Sequence, residues 1–333
     1  MMRKVNIKYY VTSFEKFDYD LEKIIHIFTE NGEAHLEINL VMDEVDDGDV
    51  KRIIGTISKC KLFKEISNDN IVTFVLTLSP ESVNQSMLHK IRGLLTRIDL
   101  VYKKNSMDDM IGYLGRGKIP CSVLIRRDDI NEIEMIYGTM SKIKVPIIIE
   151  DYEKFEFSSN FMELFKEWFY DKDGSRINLF SDIISRILLD YWGTKCQYKS
   201  CLTKHFKIDV ERNIYACKKS KNVICKLDEV MSMQDIVSNE KFIEILKQSI
   251  KKREKCKETC GFYEYCQGGC PLDWNIDVEK CKEKGMFYVM EDIKQLLYET
   301  INYSDYTELN PAVREMILFC VASNKMFEKG LIV

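Results

Sequence analysis

The chain has 333 residues, 45% hydrophobic and 31% charged, with a formal net charge of -4. That composition belongs to a globular protein with room for one large or two ordinary cores, and a charge this small excludes a global basic field for nucleic acid. Met1 to Ser13 lacks the uninterrupted apolar core of a signal peptide, and no apolar run approaches the roughly 20 residues needed to cross a bilayer. The expectation is a cytoplasmic protein with no membrane or nucleic-acid partner.

From the N-terminus the hydrophobic period switches between two and 3.6. A strand over Lys4 to Thr12 is followed by an amphipathic helix over Asp18 to Asn31 and a strand over His35 to Met42. A helix over Asp47 to Lys64, a strand over Ile71 to Leu78 and a helix over Glu81 to Leu95 come next. Then follow a strand over Arg97 to Tyr102, a short helix over Met107 to Leu114, a strand over Cys121 to Ile125, a helix over Asn131 to Ile143 and a strand over Val145 to Glu150. Ser79-Pro80 and Ile119-Pro120 mark breaks, and Asn31-Gly32 is a helix stop. Repeated βα units imply parallel strands with right-handed crossovers, and about six of them fit a partial barrel better than a closed eight-stranded one. Phe161 to Leu189 reads as apolar helices, and Phe287 to Tyr298 and Pro311 to Lys325 have helical periodicity. The fold class is α/β: a partial (β/α)6 barrel-like half over 1–190, a small cysteine-rich domain over 191–285 and C-terminal helices over 286–333.

Of 12 cysteines, Cys60, Cys121 and Cys320 stand alone in apolar surroundings and read as small buried hydrophobes. The other nine fall between Cys196 and Cys281. In a reducing compartment such a cluster reads as metal ligands before disulfides. The pattern is Cys196-x4-Cys201-x15-Cys217, then Cys256-x3-Cys260-x5-Cys266-x3-Cys270, then Cys281. With Cys225 set aside as a spare thiol, eight remain, enough for two four-ligand sets. So many thiolates close together need a metal to neutralise them. Gly261, Gly268 and Gly269 allow the chain to wrap a compact centre, and Pro271 fixes its exit. Two iron-sulfur clusters and two zinc ions both satisfy this donor set, although the x3 and x5 spacings fit zinc knuckles less well than paired x2 loops would.

The run Cys256-Lys-Glu-Thr-Cys260-Gly-Phe-Tyr-Glu-Tyr-Cys266-Gln-Gly-Gly-Cys270-Pro-Leu resembles the signature of the SPASM domain, the auxiliary-cluster module of radical SAM peptide-modifying enzymes. Ile208-Asp-Val-Glu-Arg-Asn-Ile-Tyr-Ala-Cys217 resembles the β-hairpin that leads into one of its ligands. The resemblance covers Cys196 to Cys281 and implies two 4Fe-4S clusters. Cys196, Cys201, Cys217 and Cys270 would hold auxiliary cluster I, and Cys256, Cys260, Cys266 and Cys281 auxiliary cluster II. Two departures stand out: three residues separate Cys256 from Cys260 where the family usually has two, and Asn213 occupies the place of a turn glycine, which Asn can fill in the left-handed conformation.

The family's catalytic cluster is held by a Cys-x3-Cys-x2-Cys loop after the first strand. Here that stretch reads Val11-Thr-Ser-Phe-Glu-Lys-Phe-Asp18 and has no cysteine, and the Gly-Gly-Glu-Pro run expected near Leu40 to Glu44 keeps only its acidic character. The resemblance therefore implies a degenerate radical SAM barrel without an S-adenosylmethionine site. Such a chain would be an accessory or atypical component of ribosomal peptide maturation in an anaerobe and not a conventional radical SAM enzyme. Its partners would be a precursor peptide, an active radical SAM maturase or an electron donor. A redox enzyme working without S-adenosylmethionine and a structural two-zinc interaction module are the competing readings. His26, His35, His89 and His205 have no metal or triad spacing, Gly112 to Gly117 matches no phosphate loop, and Lys247 to Lys257 reads as a solvated basic helix face.

Overall fold

A computed structural model describes residues 3–11, 14–30, 34–42, 45–64, 71–83, 94–104, 106–114, 120–150, 159–189, 201–261, 284–303 and 306–323, together with Tyr263, Cys270 and Leu272. They fall into two compact units. The first comprises Met1–Cys121, Lys199–Glu254 and Cys270–Trp274, and the second Ser122–Tyr198, Lys255–Gly269 and Asn275–Val333.

In the first unit the chain runs β1 (Arg3–Tyr10), α1 (Phe17–Thr29), β2 (Ala34–Met42), α2 (Asp47–Lys64), β3 (Ile71–Leu78), β4 (Arg97–Val101) and α3 (Met107–Leu114). It returns as β7 (His205–Ile208), β8 (Asn213–Tyr215), β9 (Val223–Lys226), α7 (Met233–Val237) and the long α8, Glu240–Thr259, whose last turn lies in the second unit. The strands stand in the order β4-β3-β2-β1-β7-β8-β9. β4, β3, β2, β1 and β7 are parallel, and β7, β8 and β9 are antiparallel.

Strict alternation gives this sheet two unlike faces. Val5, Ile7, Leu36, Ile38, Leu40, Phe74, Leu76, Ile98 and Phe206 are all buried, on one face. Helix α1 covers that face with Phe17, Leu21, Ile24, Ile27 and Phe28, buried at helical spacing, and the Phe28 ring lies 5.1 Å from that of Phe206. Each such side chain contributes about 1.5–3 kcal/mol on burial. The register puts polar residues in rows on the opposite face: His205, Asn6, Glu37 and Thr73; then Lys207, Lys8, Asn39 and Arg97; then Tyr10, Thr77 and Asp99. Asn39 accepts from Thr77 Oγ1 at 2.9 Å, and Arg97 holds the buried Asp99.

In the second unit β5 (Cys121–Ile125) pairs in parallel with β6 (Ile147–Ile149). Between them the expected single helix is three pieces. They are a 3-10 turn over Arg127–Glu132, α4 (Ile133–Met140) and a 3-10 turn over Ser141–Ile143, ended by Lys144 at φ 58°. Then come α5 (Ser159–Phe169), α6 (Asn178–Leu189), α9 (Lys284–Tyr303) and α10 (Pro311–Ala322). Phe161, Phe165, Trp168, Phe169 and Phe180 pack ring to ring as the core of this unit. A buried polar knot locks it. Tyr137 donates to Asp171 at 2.6 Å, Asn310 caps α10 through Ala312 N at 3.0 Å, and a Cβ on Gly174 would strike Tyr137, Asp171 and Asn310 together.

Six strands β1–β6, each followed by helical structure where the chain is described, make a mixed α/β fold with a parallel sheet. The expected helix over Glu81 to Leu95 starts as a 3-10 turn at Pro80–Ser82, and residues 84–93 lie outside the described residues. Gly112, the first glycine of the Gly112 to Gly117 run, lies inside α3. Among the described residues no helix is long and apolar enough to cross a membrane.

Candidate metal centre

The β7-β8 hairpin delivers one thiol and the segment before it another. Cys201 starts a 3-10 turn over Cys201–Thr203 that leads into β7. Cys217 lies two residues beyond β8, in a turn closed by Ser220 N donating to Cys217 O at 3.1 Å. The Lys219 N–H points at the sulfur itself, donating to Cys217 Sγ at 3.2 Å.

The hairpin turn is fixed by Asp209. Its carboxylate accepts from Glu211 N at 3.0 Å, Asn213 N at 2.9 Å and Tyr215 Oη at 2.7 Å. Burial works against its ionisation, but the Tyr215 hydroxyl and the Asn213 donors prevail and hold it below the usual carboxylate range. The left-handed residue of the turn is Arg212, at φ 65°, one position before the Asn213 expected from sequence; Asn213 is already in β8. A non-glycine residue there costs about 1–2 kcal/mol. The Arg212 side chain anchors that conformation, reaching Asp20 of α1 at 2.7 Å and Asp228 at 2.6 Å. Asp20 in turn accepts from Tyr9 at 3.0 Å, and burial pushes the Asp20 carboxyl up despite the Tyr9 and Arg212 partners.

Cys270 joins Cys201 and Cys217 in the same unit. Burial, then repulsion from ionised Cys217 and Cys270, pushes the Cys201 thiol up to about 12, with Arg253 opposing. Cys217 is raised by burial and by Cys270, against the Lys219 N–H. Three of the four cysteines assigned to auxiliary cluster I are therefore mutual electrostatic neighbours; the fourth, Cys196, lies outside the described residues. Among the described residues no group of three His, Cys, Asp or Glu side chains closes to metal-ligating spacing. The donor chemistry nonetheless fits a metal: Cys201 is buried and Cys217 and Cys270 half-buried, and thiols raised by burial give up their protons to a cation that neutralises them.

For the second set, Cys256 lies in the last turn of α8 and Cys260 just beyond its end, with Cys260 N donating to Cys256 O at 2.9 Å. Three intervening residues make one helical turn, so the departure from the family spacing leaves both residues on one helix face. Cys266 and Cys281 lie outside the described residues, as do Gly268, Gly269 and Pro271. Cys225 sits in β9 opposite Ile214, its thiol raised by burial to about 11. Cys60 and Cys320 are buried and Cys121 half-buried.

Sequence reasoning missed the cations around the first set. Lys252 is only 7% exposed and donates to Cys270 O at 3.0 Å, so the solvated-face reading holds for Lys247, Lys251, Lys255 and Lys257 and fails at Lys252. The signal was available: Lys252 lies one helical turn before Cys256 and shares its face.

At the exit of β1, where the family's catalytic loop would stand, the Phe17 ring stacks 6.4 Å from Tyr9 and meets Phe14 edge-on at 5.3 Å. Thr12 and Ser13 lie outside the described residues.

No protein-family profile matches the chain. It is 27% identical over 143 residues to a cysteine-type anaerobic sulfatase-maturating enzyme of Clostridium perfringens strain 13, covering 42% of this chain and 38% of that enzyme. The counterpart from strain ATCC 13124 is also 27% identical, over 146 residues. The matched stretch thus spans about two fifths of the length of these curated relatives. Among solved structures, native anSMEcpe with bound AdoMet and the Cp18Cys peptide superposes with a TM-score of 0.66 at 13% identity, over 87% of this chain and 99% of that one. Native anSMEcpe with bound AdoMet gives a TM-score of 0.64 at 14% identity, over 87% and 99%. At that identity the likeness is one of fold.

Proposed function

We propose that this chain is an iron-sulfur protein of the radical SAM/SPASM type, an accessory or atypical component of peptide maturation whose cysteine domain holds two 4Fe-4S clusters. The observation that carries the proposal is the gathering of Cys201, buried, with Cys217 and Cys270, half-buried, in one compact unit, with a backbone N–H aimed at Cys217 Sγ. Cys196 would complete auxiliary cluster I, and Cys256, Cys260, Cys266 and Cys281 would hold auxiliary cluster II. When bound, such clusters supply one-electron transfer at potentials set by charge, hydrogen bonds to sulfur and solvent exposure. The protein's own part is to supply eight thiolates, shield Cys201 from water and donate the Lys219 N–H. With four protein ligands for each cluster no iron is left open to substrate, which favours electron relay or structural support over direct ligation.

The first half supports an accessory role. No cysteine precedes Cys60, which is buried in α2, and the β1 exit carries phenylalanines in place of thiols. Three cysteines are the chemical minimum for a cluster that leaves one iron free for S-adenosylmethionine, and that requirement is unmet here. The chain would then act beside an active radical SAM maturase, on the precursor peptide, or as a relay from an electron donor. The peptide bound by the structural neighbour anSMEcpe supports a peptide as the shared ligand class. The α/β half, the cysteine domain over 191–285 and the last helices over 286–333 would then be barrel, cluster module and closing helices.

The test is iron, sulfide and zinc content with a visible spectrum on protein purified without oxygen. About eight iron and eight sulfide per chain, with absorption that bleaches on reduction, is the expected result. Colourless protein with about two zinc would make it a structural module and end the redox reading. Production of 5'-deoxyadenosine at enzyme-like rates would overturn the accessory role.

A further inference from the structure

We draw no further inference here: the strongest candidate, the groove of about 600 Å³ in the first unit between residues 221–223 at the entry to β9 and the first turns of α8, sets Lys221 and Lys241 against Glu240 and Glu244 along its walls, and with the two signs in balance nothing in the structure shows what covers it.

Discussion

Two strand exits in the first unit make a useful contrast. After β1 the chain leaves through Val11 into an aromatic and acidic corner, with Tyr9, Phe14, Phe17 and Asp20 engaged with one another or with Arg212. After β8 it leaves into a turn whose first group is the Cys217 thiol, with an N–H aimed at it and lysines nearby. The first exit uses its side chains up in packing and pairing; the second keeps a half-buried sulfur oriented by a backbone N–H. The first exit, through Asp20 and Arg212, anchors the hairpin that carries the second.

The sharpest way to break that contrast is to remove a thiol. Cys217→Ser should release about four of eight irons, one cluster's worth, and Cys256→Ser the other four, as counted by metal analysis. Loss of all iron from either variant, or of none, would show that the two sets are not partitioned as assigned. Next in size is the anchor. Arg212→Ala leaves Asp20 buried without its cation and should cost about 3 kcal/mol in urea unfolding, with Asp20→Asn recovering part of the loss. A fall no larger than that of an exposed surface substitution would show the anchor to be idle. Gly174→Ala crowds Tyr137, Asp171 and Asn310 in the second unit and should cost about 1–3 kcal/mol. Urea unfolding reads that loss, and an unchanged midpoint would show the knot to have room to spare. The smallest effect is pH-dependent. Because the folded-state Asp209 carboxyl is held low, it stabilises the hairpin above the ordinary carboxylate range, and that contribution is lost as pH falls through the lowered value. Amide shifts of Glu211 and Asn213 should therefore move only in acid, and Asp209→Asn should abolish the transition.

Much of the fold was legible. Helices at Asp47–Lys64 and Met107–Leu114 and strands at Ile71–Leu78 and Cys121–Ile125 have the bounds their periodicity predicts. The two strands are near-continuous apolar runs buried on both faces, as central parallel strands are. The helix over 131–143 was less legible because its ends are 3-10 turns without a side-chain cap, a matter of local hydrogen bonding that hydrophobic spacing does not report. At the candidate site the cysteines were visible and their electrostatic company was not. Lys252 looked like one more lysine of a basic helix, because sequence shows how many charges a helix carries but not which of them the fold turns inward. Likewise, Asn213 was the natural choice for a left-handed turn on intrinsic preference. A long-range ion pair moved that conformation to Arg212, and such pairs leave no local trace.

The Asp20–Arg212 contact also bears on the order of events during folding. A hairpin taken alone, over 205–226, must carry its left-handed arginine with nothing distant to offset it, and short hairpins are marginal in water even without that burden. Its turn becomes favourable only when α1, from the far end of the chain, is already in place to offer a carboxylate, so the contact has the slow, non-local character that delays closure. The turn that leads through β8 to Cys217 therefore settles after the first βα unit has formed, on a scaffold laid down by β1 and α1.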